Sequence, residues 1–340
     1  MYYIGCDLHK ESTWFYCLDE SGKRIISKSI SNHPDELHKF FRQIPKPFIL
    51  AVEATYNWYY FIDIAEEYAK KVYLANSYEL KAFARRHKKT DKIDSRLIAD
   101  VLRKGYLPAV YIPNKEAREM KELLNYRMKI IQDRSRNISR LKSLLDRWGL
   151  DSSGDYTTYK ALRSIKLDNL EVNLRNVAQG YITRITALTE KAHEAIKFIR
   201  DKAKEDRDIL NLITIPGLDY FGASVVKNEI ADITRFKSFP RLCAYAGLAP
   251  RIHQSANKTM HGPLNVNRRK HLQWILLETV YHFIKANPQR KEKHEVISKR
   301  KGYNTAKVIL ARDMLKVIYH VLKQKRAYYK ENIEIRSQAA

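Results

Sequence analysis

Four carboxylates in this chain lie where chemistry is expected. Asp7 ends the apolar run MYYIGCDL, and Glu53 ends a second apolar run, FILAVE. Asp91 and Asp94 lie three residues apart in KTDKIDSRLIAD, at a predicted helix start. A carboxylate at the end of a buried run is costly unless something compensates its charge. Mg²⁺ prefers oxygen ligands of this kind, so the four residues predict a divalent-metal site that acts on phosphate esters.

Simpler roles are open for the same residues. Thr90 or Asp91 can cap the predicted helix, because short oxygen-bearing side chains accept hydrogen bonds from the first free N–H groups. Capping does not account for Asp94, which lies one turn later on the same face. Each of the four can also be an ordinary surface carboxylate, and the Asp-x-x-Asp spacing alone does not decide between these roles.

The charge of the chain predicts a polyanionic partner. Lys and Arg together number 63 against 38 Asp and Glu, which gives a formal net charge of +25. A folded protein with this imbalance is typical of nucleic-acid binders. A basic protein of the membrane surface is the alternative, but it would need a strongly amphipathic anchor helix, and none stands out. The predicted nucleic-acid contacts are Arg85, Arg86, Lys88, Lys89, Arg251, Lys258, Arg268, Arg269 and Lys270.

The cysteines and the chain start favour a reduced, cytoplasmic protein. Cys6, Cys17 and Cys243 have no CxxC spacing, so neither a zinc site nor a disulfide framework is indicated. An acidic residue at position 7 interrupts any signal peptide. No apolar run reaches the length of a membrane span, and we expect no membrane partner.

The first 112 residues predict an α/β domain. Three strands come first (YYIGCDL, STWFYCLDE and KRIISKSI), followed by a helix, the strand FILAVEAT, a helix, the strand KVYLANS and further helices that begin with SYELKAFARRHKK. An antiparallel opening followed by strand–helix alternation is the order of an RNase H-like domain. Pro108 and Pro113 mark the break after it.

Residues 113–205 predict an antiparallel coiled hairpin. A long helix over about 115–148 has an apolar 3–4 rhythm at Leu124, Met128, Ile131, Ile138 and Leu145. A second helix has an apolar stripe at Leu170, Leu174, Val177, Tyr181, Ile185, Leu188 and Ala195. The stripes indicate packing, either on each other or on another subunit.

Residues 206–325 predict a mostly helical domain, followed by a polar tail over 326–340. The Pro216-Gly217 turn between two helices fits either a phosphate-binding helix-hairpin-helix or an ordinary αα-turn. Residues 251–269 are basic, nearly free of apolar side chains and predicted to form a loop. Ser255 lies in it beside small residues, so the segment is either a phosphate site or a plain solvated loop. A second basic loop is predicted at PQRKEKHEVISKRKGYN, before the last helix.

Two blocks together resemble the DEDD transposases of the insertion-sequence-110 family, including its 1111 subgroup. The first block is IGCDLHK, AVEATYNWYY and KTDKIDSRLIAD, which resembles the RuvC-like domain of that family. The second is ITIPGLDYFGASVVKNEIADITRFKSFPRLCAYAGLAPRIHQSANKT, which resembles its transposase domain. The resemblance runs over nearly the whole length, and the blocks occur in the family's order.

The resemblance implies roles for individual residues. Asp7, Glu53, Asp91 and Asp94 correspond to the DEDD carboxylates that bind Mg²⁺, and Ser255 corresponds to a nucleophile that forms a covalent link to a DNA phosphate. The family's serine segment often reads Ser-Ser-Gly-Gly, whereas residues 254–257 here read Gln-Ser-Ala-Asn. The family's turn often reads Pro-Gly-Ile-Gly, whereas residues 216–219 read Pro-Gly-Leu-Asp, and the acidic residue disfavours a phosphate contact.

The resemblance also implies partners. They are donor and target DNA, a non-coding guide RNA from the element, and further copies of the chain in a dimer or tetramer, in a prokaryotic cytoplasm and associated with the nucleoid. A site composed of carboxylates from one subunit and serine from another is a hypothesis of the same origin. Two other functions stay open: a metal-dependent nuclease or Holliday-junction resolvase that uses water, and a non-catalytic nucleic-acid-binding protein.

Overall fold

The strand that carries Asp7 lies inside a six-stranded mixed sheet. The strands are β1 (Tyr2–Leu8), β2 (Ser12–Leu18), β3 (Arg24–Ser31), β4 (Phe48–Glu53), β5 (Lys71–Ala75) and β6 (Ala109–Val110), in the spatial order β3-β2-β1-β4-β5-β6. Strand β1 pairs antiparallel with β2 and parallel with β4. The predicted strands are confirmed, and β6, antiparallel to β5, is an addition to them.

The computed structural model describes residues 1–83, 90–168, 170–255, 258–265 and 268–328. The chain divides into two compact units, Met1–Pro113 and Asn114–Ala340. The first unit is mixed α/β, and the second is mostly helical, as the sequence predicts. The finer predicted division at residues 205 and 325 stays a prediction.

One face of the sheet is packed with aromatic side chains. Ile4, Cys6 and Leu8 of β1 point to this face, where helices α1 (Pro34–Gln43) and α2 (Trp58–Glu66) cover them. The fully buried Phe15 and Phe41 lie 5.8 Å apart, edge to face, among further rings from both helices and from β4. Edge-to-face packing is a favoured aromatic geometry, so this face forms the main core of the unit.

The opposite face of β1 is covered by helix α4 (Asp91–Arg103). Residues alternate between faces along a strand, so Gly5 and Asp7 share the face that α4 covers. A Cβ atom on Gly5 would lie 2.1 Å from the Ser95 carbonyl oxygen and 2.4 Å from the Ala99 amide nitrogen. Only glycine therefore permits this closeness of helix and strand. The short helix α3 (Ser77–Leu80) contributes Leu80 to the small core beneath α4.

Two long helices open the second unit. They are α5 (Lys115–Arg147) and α7 (Val172–Ala203), connected through the short helix α6 (Tyr159–Arg163). The end of α5 shares a core with the first half of α7, whereas the start of α5 and the end of α7 share another. The two helices are therefore antiparallel, as predicted.

The predicted apolar stripes are wrong in part. On α5, Ile130 is buried while Ile131 is only partly buried, and on α7 Val177 is 48% exposed. On α7 the buried residues Ala178, Ile185, Ala192 and Ile199 recur every seven residues, so the buried face keeps a heptad repeat at positions that coincide only partly with the predicted stripe. Small residues occupy much of this face: Ala178, Ala192, Ala195 and Ala203.

The rest of the second unit is a helical core with one β-hairpin. Its helices are α8 (Arg207–Leu212), α9 (Tyr220–Ile230), α10 (Phe239–Tyr245), α11 (Lys270–Lys285), α12 (Pro288–Lys301) and α13 (Tyr303–Gln324), with a 3-10 turn at Ile233–Arg235. Buried apolar side chains of α9, α11 and α13 form most of this core. Strands β7 (Pro250–Ser255) and β8 (Lys258–Leu264) form the hairpin.

Two predicted loops are wrong. Where a loop was predicted over residues 251–269, strands β7 and β8 pair antiparallel, because a ladder of backbone hydrogen bonds needs no apolar alternation. The basic segment after Pro288 is helix α12, which buries no side chain. The Asn287 side chain accepts the N–H groups of Gln289 and Arg290, and Gly302 ends the helix at φ 86°. Caps, rather than an apolar pattern, define this helix.

Among the helices of the described residues, none is both long and apolar enough to cross a membrane.

Replacing Gly5 with alanine tests the contact between β1 and α4. We expect the free energy of unfolding to fall by about 1–3 kcal/mol, because the added methyl group must push the helix backbone outward. Urea unfolding followed by circular dichroism measures it. The matched control is Gly180→Ala on α7, where no atom of the described residues lies within 4 Å of an added Cβ. Because Gly180 is exposed within a helix, this substitution should raise the free energy of unfolding by about 0.5–1 kcal/mol. Equal stability of Gly5→Ala and the wild type would contradict the contact.

Candidate metal centre

The strand register brings Asp7 and Glu53 together at one edge of the sheet. Cys6 pairs with Val52 in the parallel ladder of β1 and β4, so the next residue of each strand is Asp7 or Glu53. Both strands end at this edge because they run in the same direction. Asp7 is only 7% exposed, whereas Glu53 is half-buried.

Helix α4 adds the other two carboxylates. Thr90 is its N-cap, and the Thr90 side chain accepts the Ile93 N–H at 3.3 Å. Asp91 is therefore the first helical residue and is not the cap. Asp91 and Asp94 both lie in the first turn, where the positive end of the helix dipole favours negative charge. The close contact of Gly5 with the backbone at Ser95 and Ala99, directly after this turn, holds α4 against the strand that carries Asp7.

His9 joins the carboxylates and was missed by the sequence prediction. Its Nε2 atom lies 3.3 Å from Asp7 Oδ2 and 3.4 Å from Asp91 Oδ1. Among the described residues, Asp7, His9 and Asp91 form the group whose donor atoms could hold one metal ion. Glu53 and Asp94 act on Asp7 through their charge. The sequence feature that could have identified His9 is its position two residues after Asp7, a carboxylate at a strand end.

Two asparagines fasten the turn that carries His9. The Asn32 and Asn57 amides donate to the His9 carbonyl at 2.8 and 2.7 Å. The His9 N–H donates to the Ser12 carbonyl at 3.0 Å, which closes the turn between β1 and β2. Asn32 is itself buried and accepts the hydroxyl of the fully buried Thr13. The backbone position of His9 is therefore set by side chains from two other segments.

The site concentrates negative charge around a buried group. Burial raises the pKa of Asp7 from its ordinary value of 3.8 to about 6. His9 lowers the pKa of this carboxyl, whereas the negative charges of Asp91, Asp94 and Glu53 raise it further. Like charges and desolvation both disfavour the ionised form, so the apparent value reflects the whole cluster. Four carboxylates thus interact at this edge of the sheet.

This donor set fits a divalent cation. Carboxylate oxygens are hard donors, and imidazole nitrogen is also a common metal ligand. A cation would relieve the charge repulsion that raises the pKa of Asp7. Asp7 and Asp91 could bind it directly, and the half-buried Glu53 and Asp94 lie on the elements next to them.

Ser255 lies in the second unit, at the end of a strand. It is the last residue of β7 and pairs with Lys258 of β8 across the hairpin. The side chains of residues 252–261, which include both, lie outside what the structure describes. Arg85, Arg86, Lys88 and Lys89 also lie outside the described residues. Their predicted roles in catalysis or nucleic-acid binding stay predictions.

Two of the predicted nucleic-acid contacts already have partners within the protein. The Arg269 guanidinium donates to the Tyr245 hydroxyl at 2.8 Å and lies 5.1 Å from the Tyr245 ring. Arg268 donates to the Asn265 carbonyl at 3.3 Å and packs against the backbone at Gly247. Lys270, by contrast, is exposed at the start of α11, and Arg251 is half-buried.

The Pro216-Gly217 turn has a packing role. Gly217 has a φ of 97°, and a Cβ on it would lie 2.6 Å from the Thr279 carbonyl oxygen of α11. The Asp219 carboxylate accepts the Gly222 N–H at 2.7 Å as the N-cap of α9. A carboxylate thus already occupies the helix start that a phosphate would need, which favours the ordinary αα-turn.

The mixed sheet and the carboxylate cluster fit the class of enzymes that process nucleic acids, and two family models match the chain. The family model of the DEDD transposases of the IS110 type matches residues 4–150. The model described as "Transposase IS116/IS110/IS902 family" matches residues 210–295. The chain belongs to this family of insertion-sequence transposases, so it is a DNA transposase.

Individual relatives have low sequence identity to this chain, but the similarity covers most of its length. The chain is similar to the transposase for insertion sequence element IS1111A of Coxiella burnetii, with 24% identity over 71% of this chain and 68% of the relative. It is also similar to the transposase for IS1328 of Yersinia enterocolitica, with 21% identity over 81% of each chain. A probable family 20 transposase of Pseudomonas aeruginosa is 19% identical over 96% of this chain and 98% of its own.

Replacing Asp7 with asparagine should stabilise the protein when divalent metal is chelated. The native state binds the Asp7 proton more tightly than the unfolded chain, because its pKa is about 6 rather than 3.8. Wild-type stability should therefore fall as the pH rises from about 4 to about 6 and stay low above that. The neutral amide removes this loss, which is worth up to about 3 kcal/mol at pH 7.

Urea unfolding at several pH values, with chelator present, measures the difference between Asp7→Asn and the wild type. The free energies of unfolding of Asp7→Asn and the wild type should become nearly equal near pH 3.5. Asp19→Asn is the control of opposite sign, because hydrogen bonds from Ser21 and from the backbone lower the pKa of Asp19. That variant should lose stability at neutral pH. A pH-independent difference between Asp7→Asn and the wild type would contradict the charge cluster.

Proposed function

We propose that this transposase is an RNA-guided site-specific recombinase that cuts and rejoins DNA. In this proposal Asp7, Glu53, Asp91 and Asp94 hold Mg²⁺, and Ser255 is the nucleophile. The observation that carries the metal-site part is the interaction of all four carboxylates at one edge of the sheet. The strand order, with β1 parallel to β4 and antiparallel to β2, supports an RNase H-like, RuvC-like domain.

The carboxylates have a defined task in this reaction. A divalent ion bound by them would polarise the scissile phosphate and stabilise the departing oxygen. Asp7 is buried and pairs with Trp14 of β2, so the strand fixes the face of the sheet to which its carboxylate points. Asp91 and Asp94 are fixed by the cap at Thr90 and by the contact at Gly5. Their arrangement is therefore set by the fold before DNA binds.

Ser255 would hold the cleaved DNA strand in a covalent intermediate. A bond forms between Ser255 Oγ and phosphorus while the bond from phosphorus to a deoxyribose oxygen breaks, and the serine proton passes to that oxygen. A deoxyribose hydroxyl of the other DNA end then attacks the same phosphorus, and the serine regains its proton. No phosphodiester bond is lost overall, which suits recombination rather than digestion.

The positive charge supports more than one nucleic-acid partner. A net charge of +25 suits donor DNA, target DNA and a structured non-coding RNA encoded by the element. In this proposal base pairing with the RNA selects the DNA sequence, while the protein contacts backbones and reads shape. A homo-oligomer, a dimer or a tetramer, would bring two DNA ends together.

Ser255→Ala should abolish strand exchange while binding of DNA and RNA persists. Suicide DNA that releases one product strand should trap wild-type protein as a denaturation-resistant adduct, visible as a shifted band on a denaturing gel. Ser255→Ala should give no adduct, whereas Ser224→Ala, in the core helix α9 of the same unit, tests general loss of a serine. Metal-dependent cleavage by Ser255→Ala without an adduct would instead indicate a nuclease or junction resolvase that uses water.

Asp7→Asn should lose metal-dependent cleavage while keeping the fold. Mixing Asp7→Asn with Ser255→Ala tests subunit sharing, because oligomers built from both variants contain intact carboxylates and an intact serine in different chains. We expect partial recovery of strand exchange in the mixture relative to either variant alone. No recovery, with mixed oligomers demonstrated by tagged pull-down, would contradict a site shared between subunits.

A further inference from the structure

We infer that His9 is a metal ligand and that, with Asp7 and Asp91, it forms a mixed nitrogen–oxygen site that takes divalent transition metals. The inference rests on the proposed metal-dependent function and specifies the chemistry of the same site. It starts from a geometric fact: one imidazole nitrogen lies between carboxylate oxygens from a strand and from a helix.

The donor spacing matches ligands around a single ion. His9 Nε2 lies 3.3 Å from Asp7 Oδ2 and 3.4 Å from Asp91 Oδ1. Donors that are each about 2.1 Å from one ion lie roughly 3.0 Å apart in an octahedron and about 3.4 Å apart in a tetrahedron. His9 therefore already has the separation of a neighbouring ligand from each carboxylate, and all three donor atoms lie within 4.8 Å of one another.

The same distances are poor for hydrogen bonds. A nitrogen–oxygen hydrogen bond is usually 2.7–3.2 Å long, and a charge-assisted one is shorter still. The imidazole thus lies near both carboxylates but makes no short hydrogen bond to either. An imidazole whose role was to pair with Asp7 would be expected nearer to it, because the His9 side chain is half exposed and has room to move.

The backbone of His9 is held in a way that suits a ligand. Asn32 and Asn57, from two different segments, both donate to the His9 carbonyl. Fixing the backbone limits the imidazole to side-chain rotation, and partners of this kind orient the ligands of metal sites.

The nitrogen donor changes the metal that the site prefers. Mg²⁺ takes oxygen ligands and gains little from an imidazole, whereas Co²⁺ and its neighbours in the first transition row bind imidazole well. A site of carboxylates alone would show no such contribution from residue 9. The consequence is a separable effect of His9: it should govern transition-metal affinity and leave Mg²⁺ affinity nearly unchanged.

Titration of the metal-free full-length protein with Co²⁺ tests this without DNA or catalysis. Visible absorption of bound Co²⁺ reports the ligand type, and the titration gives the dissociation constant. We expect His9→Ala to weaken Co²⁺ binding by at least about tenfold, the lower end of what losing one supporting group costs a metal site. The absorption band should also shift. Mg²⁺ affinity, measured by competition, should change by less than about twofold because Mg²⁺ relies on oxygen.

His33→Ala is the matched control, because His33 is exposed in the same unit, lies 3.6 Å from Asp35 and is not one of the donors that could hold the ion. It should bind Co²⁺ like the wild type. Identical Co²⁺ affinity and spectrum in His9→Ala and the wild type would overturn the inference and leave the carboxylate site intact. Wild-type protein that binds neither ion, with Asp7→Asn no different, would overturn the proposed metal site as well. Circular dichroism and thermal unfolding confirm that each variant is folded.

Discussion

The candidate metal centre depends on how closely helix α4 lies on strand β1. Gly5 makes this possible, since any side chain there would collide with the backbone at Ser95 and Ala99. The contact fixes the height of the first helical turn above the sheet, and the Thr90 cap fixes where that turn begins. The closeness of α4 to β1 and the start of α4 after Thr90 together bring Asp91 and Asp94 near enough to Asp7 and Glu53 for their charges to interact. The glycine is thus as necessary to the site as the acidic residues.

Charge repulsion at this site opposes folding and prepares binding. A buried Asp7 beside three other carboxylates is unfavourable in the metal-free protein, as its raised pKa indicates. The aromatic core on the other face of the sheet supplies stabilisation that can offset this cost. Sites of this kind commonly lower the stability of an otherwise well-packed domain, because function requires like charges to remain close. A cation that binds the native state stabilises it by mass action.

The carboxylates could be predicted from the sequence because strand ends are easy to recognise. Asp7 and Glu53 each end an apolar run, and parallel pairing of the two strands brings their ends together. His9 could not be recognised in this way, since its position depends on a turn fastened by Asn32 and Asn57, which are distant in the chain. The β7–β8 hairpin and helix α12 were missed for a different reason. The sequence of the hairpin strands shows no apolar alternation, and α12 buries no side chain, so both lack the apolar pattern that is the strongest signal a single sequence offers.

Helix α12 has a consequence for how such a protein can diversify. It buries none of its 14 residues, and its ends are defined by Asn287 and Gly302 rather than by packing. Substitutions at the exposed positions between those caps change the surface without opening a cavity in the core, whereas Ile297 and Arg290 contact the core and are exceptions. Its basic character can therefore be strengthened, weakened or reversed by single steps that the fold tolerates. This segment is a place where lineages of the same enzyme can acquire different surface chemistry while the interior stays constant.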